Sequence, residues 1–292
     1  MKIISQKNLV YSFSRKNPIA EYISPGQPFK VETHNRFGKR RNFSNILSDD
    51  SSELNAITGN IFIKGALPGS TLEIHIIDIE LTDNRGIILA HPNKGAFKEK
   101  ISRPYKKVVH YDKNFAYFNN KIKLPLSPMI GRIGVAPKDG LFPCGTCGPY
   151  GGNMDNKLIK KGSKVYIPIF VEGAHLALGD IHALMGDGES LLSGLETSGT
   201  VTMKCNLNNK LKLTHPLVET KKEIMTIADG KTVEKASKIA LDNMANLLVK
   251  CLDLEYIEAA MLISVSADLK ICQIVNPRVC VKVVLPKSIL KI

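Results

Sequence analysis

Four side chains able to bind a metal or carry a proton crowd into one short segment, Gly179-Asp-Ile-His-Ala-Leu-Met-Gly-Asp-Gly-Glu189. They are Asp180, His182, Asp187 and Glu189. In extended chain, side chains two residues apart share a face, so Asp180 pairs with His182 and Asp187 with Glu189. A bend at Gly186 would let both pairs converge on one divalent ion. Imidazole with carboxylates suits Zn²⁺ or another first-row metal, whereas Ca²⁺ prefers oxygen ligands alone. The competing reading is a polar turn whose aspartates cap its own backbone.

A second segment, Gly148-Pro-Tyr-Gly-Gly-Asn-Met-Asp155, offers different chemistry. Consecutive glycines allow backbone N–H groups to approach a ligand closely, as oxyanion sites require. Gly151, Gly152 and Asn153 are therefore candidate substrate-binding residues, and Asp155 adds a carboxylate. The alternative is a Gly-Gly turn with Asn153 satisfying its own backbone. Cys144-Gly-Thr-Cys147 has no second pair to complete a zinc ribbon, and its prolines and glycines make it a loop rather than the start of a redox helix.

Other chemistries are excluded by absence. The chain has no G-x-S-x-G, H-E-x-x-H, P-loop or G-x-G-x-x-G motif. Its 40 Lys+Arg against 27 Asp+Glu give a formal charge of +13, thickened at Arg36–Arg41 and Lys94–Lys107. With no Trp and 6% aromatics there are few platforms on which bases could stack, so the basic residues read as solvated surface and no specific nucleic-acid partner is expected. No apolar run reaches the ~20 residues of a membrane span. The N-terminus turns polar too early for a secretory signal, so a cytoplasmic setting with reduced thiols is expected, Cys205, Cys251, Cys272 and Cys280 reading as small core residues.

The elements that must hold these residues are mostly strands. Phe29–Thr33, Asn60–Lys64, Thr71–Leu81, Ser163–Val171 and Gly199–Cys205 carry strand patterning, and Pro68-Gly69 marks a hairpin or arch. The apolar phase slips at Ile76-Ile77, which predicts a β-bulge. Pro168 predicts an edge strand or bulge. From Gly131 to Glu196 the chain otherwise reads as a long, glycine-rich functional loop. After it the period becomes helical: apolar residues at 233, 236, 240, 244, 247, 248 and 251 predict a helix capped by Thr232. A second helix is expected to start at Asp253 and to turn Leu254, Ile257, Met261 and Ser264 to one side. Strands return at Leu269–Val275 and Val279–Leu285. The fold expected is mainly β with a helical pair near the C-terminal end, α+β overall. Residues 1–210 form a β-rich body carrying the site loops, and 211–292 an α/β portion packed as one unit with it.

Asp180-Ile-His-Ala followed by Gly186-Asp-Gly-Glu189, with Gly151-Gly-Asn-Met-Asp155 upstream, resembles the acetamidase/formamidase family. Pro128-Met-Ile-Gly-Arg-Ile-Gly-Val-Ala-Pro137, Gly162-Ser-Lys-Val-Tyr-Ile-Pro168, Gly173-Ala-His, Phe29-Lys-Val-Glu-Thr33 and Val275-Asn-Pro277 follow the same pattern, so that the resemblance runs from about Val10 to Pro286. His34-Asn35 and Tyr150 stand where members often carry an acidic residue and a histidine. The resemblance implies a hydrolase of short amides, a β-sandwich-rich fold with an α/β portion, a bound divalent metal and a homodimer or larger homo-oligomer. With no serine or cysteine nucleophile motif, a metal-activated water is the simplest attacking group. Asp180 and His182 are expected to bind the ion with Asp155 as third ligand, and Glu189 to move the proton. The alternative is a non-catalytic β-sandwich module that holds a metal or small polar ligand.

Overall fold

Alternation dictates the body. In Phe29–Thr33 the residues Phe29, Val31 and Thr33 are buried while Lys30 and Glu32 are not, and Gly199–Asn208 repeats this with Val201, Met203 and Cys205. Such strands bury one face, and two sheets packed face to face satisfy both. The computed structural model describes residues 1–34 and 55–290. Asn35 and the basic run through Arg41 lie outside the described residues.

A nine-stranded sheet runs in the order 2–4, 29–33, 199–208, 71–81, 164–168, 217–219, 223–230, 279–286 and 268–273. The second, twelve-stranded sheet has at its centre the strands Leu176–His182 and Met129–Gly134, flanked by Glu196–Thr197 and Gly151–Asn153. Ile74, Ile76, Val201 and Met203 from the first sheet join Ile61, Ile130, Ile133 and Leu178 from the second in one buried cluster. Each such side chain contributes about 1.5–3 kcal/mol by leaving water. The protein is thus mainly β, with a helical part near its C-terminal end.

The bulge at Ile77 is present. Thr202 pairs with Asp78 but Met203 with Ile76, which leaves Ile77 unpaired and exposed. Pro68-Gly69 joins strands of different sheets and is an arch. Pro168 corrects an expectation: its strand lies inside the sheet. The 217–219 strand reaches only to Tyr166, so Pro168 stands past the end of that neighbour and its missing N–H costs no ladder bond there. The long loop is also corrected, because 129–134, 151–153 and 176–182 are buried strands. Burial on both faces removes the alternation that would have revealed them.

Helix α1 (Val233–Leu252) starts at Thr232, whose hydroxyl accepts from the Lys235 N–H, and packs across the 223–230 and 279–286 strands. Asp253 ends this helix in a left-handed conformation instead of starting the next. Helix α2 (Tyr256–Ser266) is capped by Glu255 with Glu258 in a reciprocal box. It buries Ala259 and Ile263, while Ile257 and Met261 are exposed. Cys251 is exposed as well, whereas the other five thiols are buried. Among the described residues no helix is long and apolar enough to cross a membrane.

Candidate functional site

The site forms where the 129–134 and 176–182 strands run antiparallel. Met129 pairs with His182 and Ile130 with Ile181, then Arg132 with Gly179, so the regular pairing lapses at Gly131 and Asp180. A Cβ on Gly131 would lie 2.6 Å from Asp155 Oδ1 and 2.9 Å from Asp180 Oδ2. Only a residue without a side chain lets two carboxylates come this close to the strand. Asp155, at the end of 151–153, donates its N–H to Gly131 O at 3.1 Å and thereby docks on the same spot.

Asp180 Oδ1 is 3.8 Å from His182 Nε2, and Asp180 Oδ2 is 3.3 Å from Arg132 Nε. His182 Nε2 is also 3.3 Å from Glu196 Oε1, a residue directly opposite it in the neighbouring strand. Two groups of possible ligand atoms result, Asp155–Asp180–His182 and His182–Glu189–Glu196, each with its atoms within 4.8 Å of one another. All five residues are buried.

Asp155, Asp180 and Glu189 have φ of 44°, 61° and 42°. Side-chain-bearing residues rarely enter this left-handed region, and strained positions of this kind cluster at functional sites. Electrostatics agree. Burial raises the Glu189 carboxyl well above its ordinary range, the Asp155 charge adds to this, and His182 opposes it. Burial alone would lower His182, but Glu196 and Asp180 hold it well above its usual value.

Asp187 leaves the cluster, contrary to the two-pair expectation. The turn at Gly188, with φ of 98°, separates it from Glu189, and it pairs instead with Lys282 Nζ at 2.6 Å and Lys157 Nζ at 3.1 Å. Lys282 has no exposed surface and donates also to Asn156 Oδ1 at 3.0 Å. The hairpin formed by 268–273 and 279–286 therefore grips both segments that carry the acidic cluster. Gly188 N–H bonds to Cys272 O at 2.9 Å, and Asn276 Nδ2 donates to Asp155 Oδ2 at 3.4 Å.

The glycine segment has a packing reason. A Cβ on Gly151 would meet Ile133 O at 2.5 Å, and one on Gly152 would meet Thr146 O at 2.3 Å. Asn153 Oδ1 accepts from Arg132 Nε at 2.9 Å, which fixes a guanidinium that is 1% exposed. Tyr150 packs on Phe13 and Phe142 and shares a hydroxyl hydrogen bond with Thr146, so it belongs to the core. Glu196, Arg132 and Lys282 were not singled out by sequence reasoning. A charged residue inside an otherwise apolar run was the signal available for Arg132 and Lys282, whereas Glu196, in Leu-Glu-Thr-Ser-Gly, carried none.

The chain matches the model of the acetamidase/formamidase family over residues 5–143 and 146–292. It belongs to that family. A predicted acetamidase/formamidase from the thermophile Thermoanaerobacter tengcongensis is 39% identical and superposes with a TM-score of 0.95, over 99% of this chain and 96% of that one. An acetamidase from Bacillus halodurans is 36% identical, with a TM-score of 0.94 over 98% and 97%. A formamidase of Methylophilus methylotrophus is 23% identical over 76% of this chain and 71% of its own. The chain spans 64% of the length of a 25% identical formamidase candidate from Schizosaccharomyces pombe. These likenesses place it with the amidase hydrolases.

The residues fit a divalent cation. Four buried carboxylates face one guanidinium and one imidazole, an excess of negative charge that a low-dielectric site does not hold without a proton or an ion. His182 Nδ1 and Arg132 Nη1 are buried without a hydrogen-bond partner among the described residues.

Proposed function

We propose that this protein hydrolyses small amides to a carboxylate and ammonia with the help of a divalent metal ion. The observation that carries the reading is the convergence of Asp155, Asp180, His182, Glu189 and Glu196 in a family-matched chain. Asp180 and His182 would hold the ion with Asp155 as third ligand, and Zn²⁺ suits this mixed N/O set better than Ca²⁺. Such an ion supplies Lewis-acid polarisation of a carbonyl and a lowered pKa for water.

The chain's own residues do the rest. Glu189, whose burial raises its carboxyl well above the ordinary range, takes a proton from the attacking water and returns it to the departing nitrogen. Glu196 faces the same His182 Nε2 that Asp180 approaches, and so stands beside the proposed ion as a further carboxylate. Arg132, held by Asn153, balances the Asp180 charge.

The test is ammonia release from formamide, acetamide and propionamide before and after chelation, with metal add-back. Release that disappears with chelator and returns with metal supports the whole reading. Release unaffected by chelator removes the metal from it. A folded, metal-loaded sample with no turnover removes the hydrolase reading.

A further inference from the structure

Beside the acidic cluster is a cavity of about 300 Å³ whose wall includes Glu189 and Gly194. That volume is at the lower end of small-molecule pockets. Gly194 seats it against the reacting groups, because a Cβ there would lie 2.6 Å from His182 Nδ1. Among its described lining residues only Asp187 and Glu189 carry charge, and Asp187 is already neutralised by Lys282 and Lys157. The remaining wall is dominated by apolar groups, of which Ile88, Phe118 and Leu184 are half-buried and Leu195 is buried. Half-buried apolar side chains converging on a concavity leave surface in contact with water that a ligand would cover.

Formamide and acetamide have almost no apolar surface to place there. We infer that the substrates this site favours are primary amides whose acyl group carries an apolar chain of several carbons, with the chain in this cavity and the carboxamide at Glu189. The inference rests on the amide-hydrolase reading and names its substrate class. The chemistry is balanced by water alone: the water oxygen bonds to the acyl carbon, the C–N bond breaks, and nitrogen leaves as ammonia with the proton Glu189 returns.

The deciding experiment compares kcat/KM for ammonia release from formamide, acetamide, butyramide and hexanamide by the metal-loaded full chain. The expected result is a rise of about fourfold per added methylene until the cavity is full. Ile88→Phe, which narrows the cavity, lowers the hexanamide-to-acetamide ratio at least about tenfold. Leu184→Ala, which widens it, moves the optimum to a longer chain and keeps the test open should the first variant not fold. Values that fall steadily from formamide to hexanamide, with ratios unmoved in both variants, overturn this inference alone. Absence of turnover on every amide overturns the hydrolase reading and this inference with it.

Discussion

The ammonium of Lys282 lies 2.6 Å from the Asp187 carboxylate, and through this pair the 279–286 strand secures the loop that carries Glu189. The same ammonium reaches Asn156, next to Asp155, at 3.0 Å. One buried cation thus sets the spacing between Glu189 and Asp155, two carboxylates of the candidate site that belong to separate segments.

Lys282→Met keeps the length of the side chain and removes its charge. Asn156 then lacks a buried donor, while Asp187 retains Lys157 and partial solvent. A stability loss of about 1–3 kcal/mol is expected, with a fall in kcat of about 10² from misplaced acids. Thermal melts and steady-state kinetics on the same sample separate the two effects, and an unchanged kcat would deny Lys282 its positioning part.

Glu189→Gln is close to isosteric and relieves the repulsion among buried carboxylates, so the fold persists. Loss of the proton carrier lowers kcat by about 10²–10⁴. Asp187→Asn, two residues away but outside the cluster, is expected to lose much less. Equal losses in the two variants would mean that loop position, not proton transfer, is what both disturb.

Gly131→Ala puts a methyl group 2.6 Å from Asp155 Oδ1 and 2.9 Å from Asp180 Oδ2. Both carboxylates must move apart. Stability should fall by about 1–3 kcal/mol and Zn²⁺ affinity by about 10–100-fold. Calorimetric titration of the metal-free protein with Zn²⁺ measures this directly, and unaltered affinity would rule out one of the two aspartates as a ligand.

Glu219 gives a prediction in pH, remote from the site. Burial alone would raise its carboxyl, but hydrogen bonds from Lys287 and Tyr166 and the Lys164 charge more than offset this and hold it below the ordinary value. A carboxyl lowered in the folded state contributes stability that is present above its unfolded pKa and is lost as pH falls through the folded one. Wild type should therefore exceed Glu219→Gln in stability at pH 7, with the gap closing toward pH 3 in denaturant titrations. A gap independent of pH would assign the effect to packing.

Much of the strand and helix pattern was legible because one-sided burial writes a period into the sequence. Thr71–Leu81 shows even its bulge, since two consecutive isoleucines break the alternation at the unpaired Ile77. Strands buried on both faces carry no such period, and 129–134 and 176–182 were hidden for that reason. The clustering of Asp155, Asp180, His182 and Glu189 in the candidate site was legible because metal-competent residues crowd into glycine-rich segments. The parts played by Glu196 and Lys282 were not, because the first depends on strand register and the second on a hairpin about a hundred residues downstream. Asp187 misled because strand parity does not survive a glycine at positive φ.

Asn276 bonds to Asp155 from 121 residues further along the chain. During synthesis the acidic segments therefore leave the ribosome well before the hairpin that secures them. Until that hairpin arrives, the acids have no fixed geometry, and a cation in the surrounding medium finds only loosely held ligands. Capture of the proposed metal would in this sense be a late event in biogenesis, and a chain stalled before Asn276 should be both inactive and poor at holding Zn²⁺.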